Sequence, residues 1–533
     1  MEQHKKLNAL SGKFAEGRID RRQFMRGAMA LGASVSLAGA LADQAQAATS
    51  KRGGTLTMGV GHGSTTDTLD PGTYINDFTI SMAHGFNGYL TQINSDTQLE
   101  PSIAESWEVS QDAKTWVFKI RKDVEFHNGR TVTAADVVAS MNHHRGENST
   151  SSAKPLLESV VDVKADGADS VVFELGAGNA DFDFFVSDYH MPIMPANDDG
   201  SMDWSQGIGC GSYKLDRFEP GVVAELSKHG NHWDDSVGHV DHVVQLALLD
   251  ANARTTALLT GDVDAIDRVD LKTAQHLARK PDLTIHNISG TQHYTFPMLA
   301  TLEPFKDNNV RQALKWAINR QELVDKILFG YGYVGNDHPI GKGQRFFNTE
   351  LEQKEHDPDK ARFFLKQAGL DGLEVSINIS DAAFVGAIDS AVLIKDAAAK
   401  CGMTVNVVRE PNDGYWADVW QKKGWFGSYW GGRPVEDMMF TTAFKGGAAW
   451  NEGKWSDERF DKMLVEARAE LDENKRRGLY FEMQAIVANE GSVAVPMFAS
   501  YVFATSGAVG HPEKIASNSD RDGNRYMERW WKA

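Results

Sequence analysis

The stretch Ile120-Arg121-Lys122-Asp123-Val124-Glu125-Phe126-His127-Asn128-Gly129, followed by Thr133-Ala134-Ala135-Asp136-Val137, decides how this chain is read. Residues 124–127 are extended and run into an Asn-Gly turn. Thr133 then stands where a helix N-cap belongs, with Asp136 in the first turn and Val137, Val138 and Met141 on the inward stripe. Upstream, Trp107-Glu108-Val109 and Thr115–Ile120 alternate as a hairpin around Ser110-Gln111-Asp112-Ala113. Sheet followed by helix is the local unit.

The same pattern extends outward. From Gly54, Thr55 and Thr57 alternate with Leu56 and Met58, and Leu69-Asp70-Pro71-Gly72 makes a turn. Ser212-Tyr213-Lys214-Leu215 and Val223-Ala224-Glu225-Leu226 pair around Pro220-Gly221, and residues 240–248 form a further strand. Residues 252–259 are helical, Gly261 stops the helix, and Val263-Asp264-Ala265-Ile266 returns to β. This unit ends near Ile288. The half that follows carries helices at 310–328, 382–401, 457–473 and 475–489, with strands at 373–379 and 404–408 between them. The mature chain holds no internal repeat or low-complexity tract. Mixed strands and helices in two large units predict an α/β protein of two lobes.

Composition narrows the function. The chain has 533 residues, 41% hydrophobic and 24% charged, which calls for two or three packed units. Lys and Arg number 55 against 73 Asp and Glu, a formal charge of -18, so no basic surface is available for nucleic acid. With only Cys210 and Cys401, neither a disulfide scaffold nor a thiolate cluster can form.

Residues 1–47 read as an export signal. Asp20-Arg21-Arg22-Gln23-Phe24-Met25-Arg26 resembles the twin-arginine motif. The uncharged run over 27–42 is mildly apolar and shorter than the roughly 20 residues that span a bilayer, and Ala45-Gln46-Ala47 offers a cleavage site. Without those residues, which hold seven Lys/Arg and four Asp/Glu, 48 positive side chains face 69 negative ones. The mature protein is expected to be a soluble periplasmic one.

Several blocks, in order, line up with one family: Leu69-Asp70-Pro71; residues 101–107 (PSIAESW); the 120–129 and 133–137 stretch; Gly209-Cys210-Gly211-Ser212-Tyr213-Lys214; Leu259-Thr260-Gly261-Asp262-Val263-Asp264; Val310-Arg311-Gln312-Ala313-Leu314; and Val495-Pro496-Met497-Phe498. The chain thus resembles the extracytoplasmic solute-binding proteins of ABC importers, family 5, the peptide/nickel/opine-binding type. The resemblance implies a two-lobed periplasmic-binding-protein fold, type II-like and of cluster C, with the ligand cleft between the lobes. It places lobe I at 48–290, with an extra subdomain at about 86–204, lobe II at 291–499, and a C-terminal return to lobe I at 500–533. It also implies a hinge, a membrane permease as partner, a small-molecule or peptide-like ligand, a monomer, and no cofactor. Closure requires that the ligand touch both lobes, because only differential affinity for the closed state shifts that equilibrium.

One departure from the family pattern bears on the ligand. Peptide-binding members carry, three residues after a Trp near the cleft, an Asp that pairs with the ligand's amino group. Here Tyr429-Trp430-Gly431-Gly432-Arg433-Pro434 puts Arg433 at that place if Trp430 is the matching residue, and Ser428 if Trp425 is. A guanidinium beside a buried ammonium is strongly unfavourable, whereas its planar fork suits a carboxylate or phosphate. An acidic group on the ligand follows, unless Arg433 pairs internally with Glu436 or Asp437. Trp416, Tyr429 and Trp430, beside Gly431 and Gly432, are candidate cleft walls, with core packing as the alternative. In lobe I the loop after the first strand, His62-Gly63-Ser64-Thr65, either faces the cleft or lies on the surface.

Catalytic and metal chemistry lack a frame. His229, His232, His239 and His242 have ligand-like spacing but no Cys and no H-E-x-x-H helix. His143 and His144 read as decoration of a helix end. There is no G-x-S-x-G elbow, and Gly341-Lys342-Gly343 is no P-loop. Cys210 and Cys401 fall in different lobes by the resemblance and are expected to be free, buried thiols. The rival readings are a twin-arginine-exported hydrolase and a sensory receptor of the same fold.

Overall fold

The computed structural model describes residues 52–533 except Asp413, together with Phe24 and residues 26–28. All but four residues of the export segment lie outside the described ones. None of the described helices is long and apolar enough to cross a membrane.

The chain opens with strand β1 (Thr55–Val60) and helix α1 (Asp77–Phe86), which Asn76 caps by accepting from the amides of Phe78 and Thr79. Strands β2 (Ala104–Val109) and β3 (Thr115–Ile120) form the hairpin expected from their alternation. Residues 124–127 join no ladder beyond one bridge from Glu125 to Thr131, because Phe126 folds back to accept from Gly129 across the turn. Helix α2 (Ala134–His143) starts at Thr133, whose amide and hydroxyl both donate to the Asp136 carboxylate at 2.9 and 2.8 Å. Strands β4 (Val160–Ala165) and β5 (Ser170–Leu175) complete a four-stranded sheet, β2-β3-β5-β4.

Strands β6 (Tyr213–Glu219), β7 (Val223–Lys228) and β8 (His242–Ala247) then return to β1. Helix α3 (Ala251–Thr260) ends on Gly261, whose φ of 80° is the left-handed cap that glycine adopts without strain. Strands β9 (Ala265–Ile266) and β10 (Leu283–Ile288) follow. With β1 parallel to both β8 and β9, these strands lie in a seven-stranded sheet, β10-β17-β9-β1-β8-β7-β6, whose member β17 (Tyr501–Ser506) comes from the C-terminal end of the chain.

A second body begins at β11 (His293–Pro297). It contains α4 (Asn308–Ala317), α5 (Arg320–Lys326), β12 (Gly332–Val334), the parallel pair β13 (Leu373–Ile379) and β14 (Met403–Arg409) flanking α6 (Ala387–Ala399), the short helix α7 (Tyr415–Asp418), strand β15 (Ser428–Trp430), helices α8 (Glu436–Ala443), α9 (Glu458–Ala469) and α10 (Glu473–Glu490), and β16 (Val493–Ala499). Its central sheet runs β12-β16-β11-β15. Two expected helices are corrected. The helix over 310–328 is two, because Ile318 turns extended (ψ 123°) and Asn319 caps α5 by accepting from Glu322. The helix expected from 382 starts at Ala387, because Gly386 sits at φ 86° and interrupts the run.

Two strand pairs cross between the bodies side by side. β10 ends at Ile288 and β11 starts at His293; β16 ends at Ala499 and β17 starts at Tyr501. A Cβ on Gly290 would overlap the Tyr501 ring, so this crossing needs glycine. The lobes meet again away from the crossing. Asp181 is held by Arg345 of the second body at 2.9 Å and by Arg476, and Val435 and Met438 pack into the core around Trp116, Phe118 and Phe182. Cys210 and Cys401 are buried in two different cores, the first with Leu90 and Ile103, the second with Ile394 and Met403. His143 and His144 do more than decorate their helix end: His143 lies 2.7 Å from Asp70, and His144 is fully buried.

Candidate functional site

Strand β15 is the edge of the second body's sheet, and its side chains alternate. Ser428 (1% exposed) and Trp430 (7%) face the packed side, and Tyr429 (36%) faces out. Ser428 Oγ donates to Glu452 Oε1 at 2.5 Å, Trp420 Nε1 to the same oxygen at 2.7 Å, and Thr295 Oγ1 to Oε2 at 3.1 Å. Ser428 and Trp430, expected as cleft contacts, are thus placed in the support of the strand. Trp430 packs into the core with Trp455 and Phe498.

On the open side Tyr429 lies 5.9 Å, ring to ring, from Trp416, which is 42% exposed. Tyr294 is Tyr429's cross-strand neighbour and stacks on Phe384 at 3.9 Å. Burial raises the Tyr294 phenol to about 12, so it stays protonated. After β15 the chain passes Gly431 and Gly432; a Cβ on Gly432 would overlap Thr291 Oγ1, which makes glycine obligatory there. Arg433 follows, half-buried. Its Nη1 donates to Gly432 O at 3.2 Å, and its guanidinium stands 6.0 Å from the Trp430 ring.

The internal pairing considered for Arg433 does not form. Glu436 accepts from the Phe346 amide at 2.7 Å, and Asp437 is taken in two-pronged fashion by Arg468 at 3.1 Å. Among the described residues no carboxylate lies within 4.0 Å of the Arg433 guanidinium. Its charge instead acts on Asp188 and Tyr189 of the first body, on His293, and on Tyr501 at the crossing. Arg433 therefore lies within electrostatic reach of the other lobe.

The first body answers with residues at the carboxyl ends of its parallel strands, where open α/β sheets bind ligands. His62 follows β1, and its Nδ1 lies 3.1 Å from Asp77 Oδ2 at the start of α1. Asp267 and Arg268 follow β9. Burial alone would raise the Asp77 carboxyl, but His62, then Arg521 and Arg268, hold it well below the ordinary carboxylate range. Arg268 is opposed by burial and raised by Asp77 and Asp267 beyond that penalty. It also senses Tyr429 of the opposite lobe. Sequence reasoning singled out His62 but missed Arg268, Asp77, Tyr189 and Tyr501. Arg268 was reachable, since it stands two residues after the Val263-Asp264-Ala265-Ile266 strand.

Carboxylate oxygens of Asp77, Asp267 and Asp520 lie within 4.8 Å of one another. Guanidinium groups already occupy that position: Arg521 is 3.4 Å from Asp267 and 3.9 Å from Asp77, and Arg268 is 3.9 Å from Asp77. His229, His232, His239 and His242 do not converge on one point among the described residues. A cavity of about 300 Å³ between residues 70–73 and 143–151 lies on the first body alone; the facing charges of both bodies, not that cavity, mark the candidate site.

Comparisons with known proteins agree with the two-lobed fold. The profile of the bacterial extracellular solute-binding proteins, family 5 middle, matches residues 98–452. Di/tripeptide-binding protein 1 of Pseudomonas aeruginosa is 23% identical over 472 residues, covering 79% of this chain and 85% of its own. Among solved structures, the periplasmic binding protein DppA of Helicobacter pylori in complex with the peptide STSA superposes with a TM-score of 0.77 at 19% identity, covering 92% of this chain and all of that one. The binding protein AgaA of A. tumefaciens R10, in complex with agropinic acid, gives 0.77 at 23% identity over 90% of this chain and 99% of its own.

Proposed function

We infer, since this chain belongs to the bacterial extracellular solute-binding proteins of family 5, that it captures an acidic organic or peptide-like solute between its lobes and hands it unaltered to an ABC permease. The chain itself is read as periplasmic, exported through the twin-arginine route with cleavage near Ala47, monomeric, and without catalytic activity. The relatives' solutes differ from one another, a peptide in one structure and agropinic acid in another, so the solute class rests on this chain's own residues. The observation that carries it is Arg433. Its charge reaches Asp188 and Tyr189 of the opposite lobe, and neighbouring Glu436 and Asp437 are engaged elsewhere. A guanidinium with unspent donors at a domain interface suits a carboxylate or phosphate and repels an ammonium. Trp416 and Tyr429 supply an apolar wall beside it.

The test is a thermal-shift screen of peptides, opines, amino-acid derivatives and polycarboxylates. An acid present at 100 times its Kd is expected to stabilise the protein by about 2.7 kcal/mol. Arg433→Ala should remove that shift while leaving the unliganded melting temperature near its starting value. Mass spectrometry after incubation should return the acid unchanged; a product would favour the hydrolase reading. Equal shifts from amides and acids, unaffected by Arg433→Ala, would refute the acidic solute.

A further inference from the structure

We propose that the solute carries two acidic groups, one bound by Arg268 of the first lobe and the other by Arg433 of the second. This deepens the acidic-solute reading above and rests on it. Most charges around the cleft are already satisfied. Asp77 accepts from Asn524 Nδ2 at 3.0 Å and is flanked by His62 and Arg521. Asp188 is bound by His190 Nδ1 at 2.6 Å. Arg254 donates to the carbonyls of Leu248, Leu249, Asp267 and Arg268. Arg521 donates to Asn524 Oδ1 at 2.5 Å and pairs with Asp267.

Among the described residues two guanidinium groups with open donors are also accessible, one on each side. Arg268 makes no side-chain hydrogen bond among the described residues; its nearest carboxylate oxygen, on Asp77, is 3.9 Å away, and its side chain is 40% exposed. The Arg433 guanidinium makes one hydrogen bond, to the carbonyl next to it in sequence. A guanidinium has five donors, so most of both forks are uncommitted. Their electrostatic reach converges between the lobes: Tyr429 acts on Arg268, and Arg433 and Tyr429 both act on Tyr189.

The backbone at Arg268 adds an independent sign. Its φ is 46°, left-handed for a residue that rarely adopts it. The strain is held by the Arg254 fork on the carbonyls of residues 267 and 268, and by the Val269 amide donating to Val502 O at 3.0 Å. Backbone strain of this kind persists where the surroundings over-determine it, and it gathers at ligand clamps. Here its effect is to present Arg268 at the carboxyl end of β9. A solute with an acid at each end would bridge the lobes and so bind the closed form selectively, which is what closure requires.

The experiment is calorimetry with the mature protein, using α,ω-dicarboxylates from succinate to suberate and N-carboxyalkyl amino acids, each against its monoamide. Arg268→Asn is the variant of choice, since Asn tolerates the left-handed backbone; Arg268→Lys keeps the charge. The best diacid is expected to bind at least about 10-fold tighter than its monoamide, the worth of one charge-assisted hydrogen-bonded group. Arg268→Asn should bring the diacid down to the level at which its monoamide binds the unmodified protein, and Arg268→Lys should recover part of the loss. If monoamides bind as well as diacids, or if Arg268→Asn leaves diacid affinity untouched, the two-acid proposal is wrong and the acidic-solute reading stands. If no acid binds, both fall. Should Arg268→Asn fail to fold, the diacid-to-monoamide ratio on the unmodified protein still decides.

Discussion

Glu452 shows how a buried carboxyl can shape the surface beside it. Its carboxylate is almost fully buried, and burial raises it against the donors of Ser428, Trp420, Trp430 and Thr295. Glu452→Ala would strand those donors in the core, at about 1–3 kcal/mol for each group left unpaired. A loss of about 3 kcal/mol in unfolding free energy is expected from thermal melts, with Glu452→Gln milder because it keeps two polar atoms in place. Gly432→Ala is a second test at this scale. The added methyl meets Thr291 Oγ1, so the loop must move and carry Arg433 with it. Affinity for an acidic solute should drop at least tenfold in calorimetry, while far-UV circular dichroism stays unchanged.

At the scale of elements, the contact of Asp181 with the second body is a second fastening beside the strand crossing. Asp181 is buried and gripped by Arg345 and Arg476. Removing one partner of a buried pair costs about 3–5 kcal/mol, and here the other partners lie on the opposite body. Asp181→Asn should therefore favour the open arrangement, seen as a larger radius of gyration in solution scattering and a weaker solute affinity. Many elements were legible in sequence because their signals are local. Thr133 and Asp136 mark a helix start, Gly261 a helix end, and Pro220-Gly221 a hairpin. Other boundaries were not, because the apolar stripe of residues 310–318 carries no mark of the break that Asn319 imposes by capping a new helix. The site was half legible for a similar reason. Arg433 and the aromatics cluster in sequence, but Arg268 and Asp77 come together only through the parallel pairing of β1 and β9. Alternation on an edge strand also separates Tyr429 from its neighbours Ser428 and Trp430, a distinction that a list of aromatics cannot make.

For the whole molecule, the cluster behind the cleft links pH to stability. Asp520 is raised to about 7 by burial and by the Asp267 and Asp77 carboxylates, against Arg521 and Arg268. A carboxyl raised in the folded state contributes stability that is full below its unfolded value near 4 and is lost as pH rises through about 7. Melting temperature should therefore fall between pH 4 and 7 by a component that Asp520→Asn removes. Capture depends on closure over an acid, and solution scattering of the mature protein with and without a saturating dicarboxylate that raises its melting temperature tests this most directly. The radius of gyration should contract on binding, and Arg433→Ala should abolish the contraction. A radius that stays the same while the acid stabilises the protein would contradict capture between two lobes.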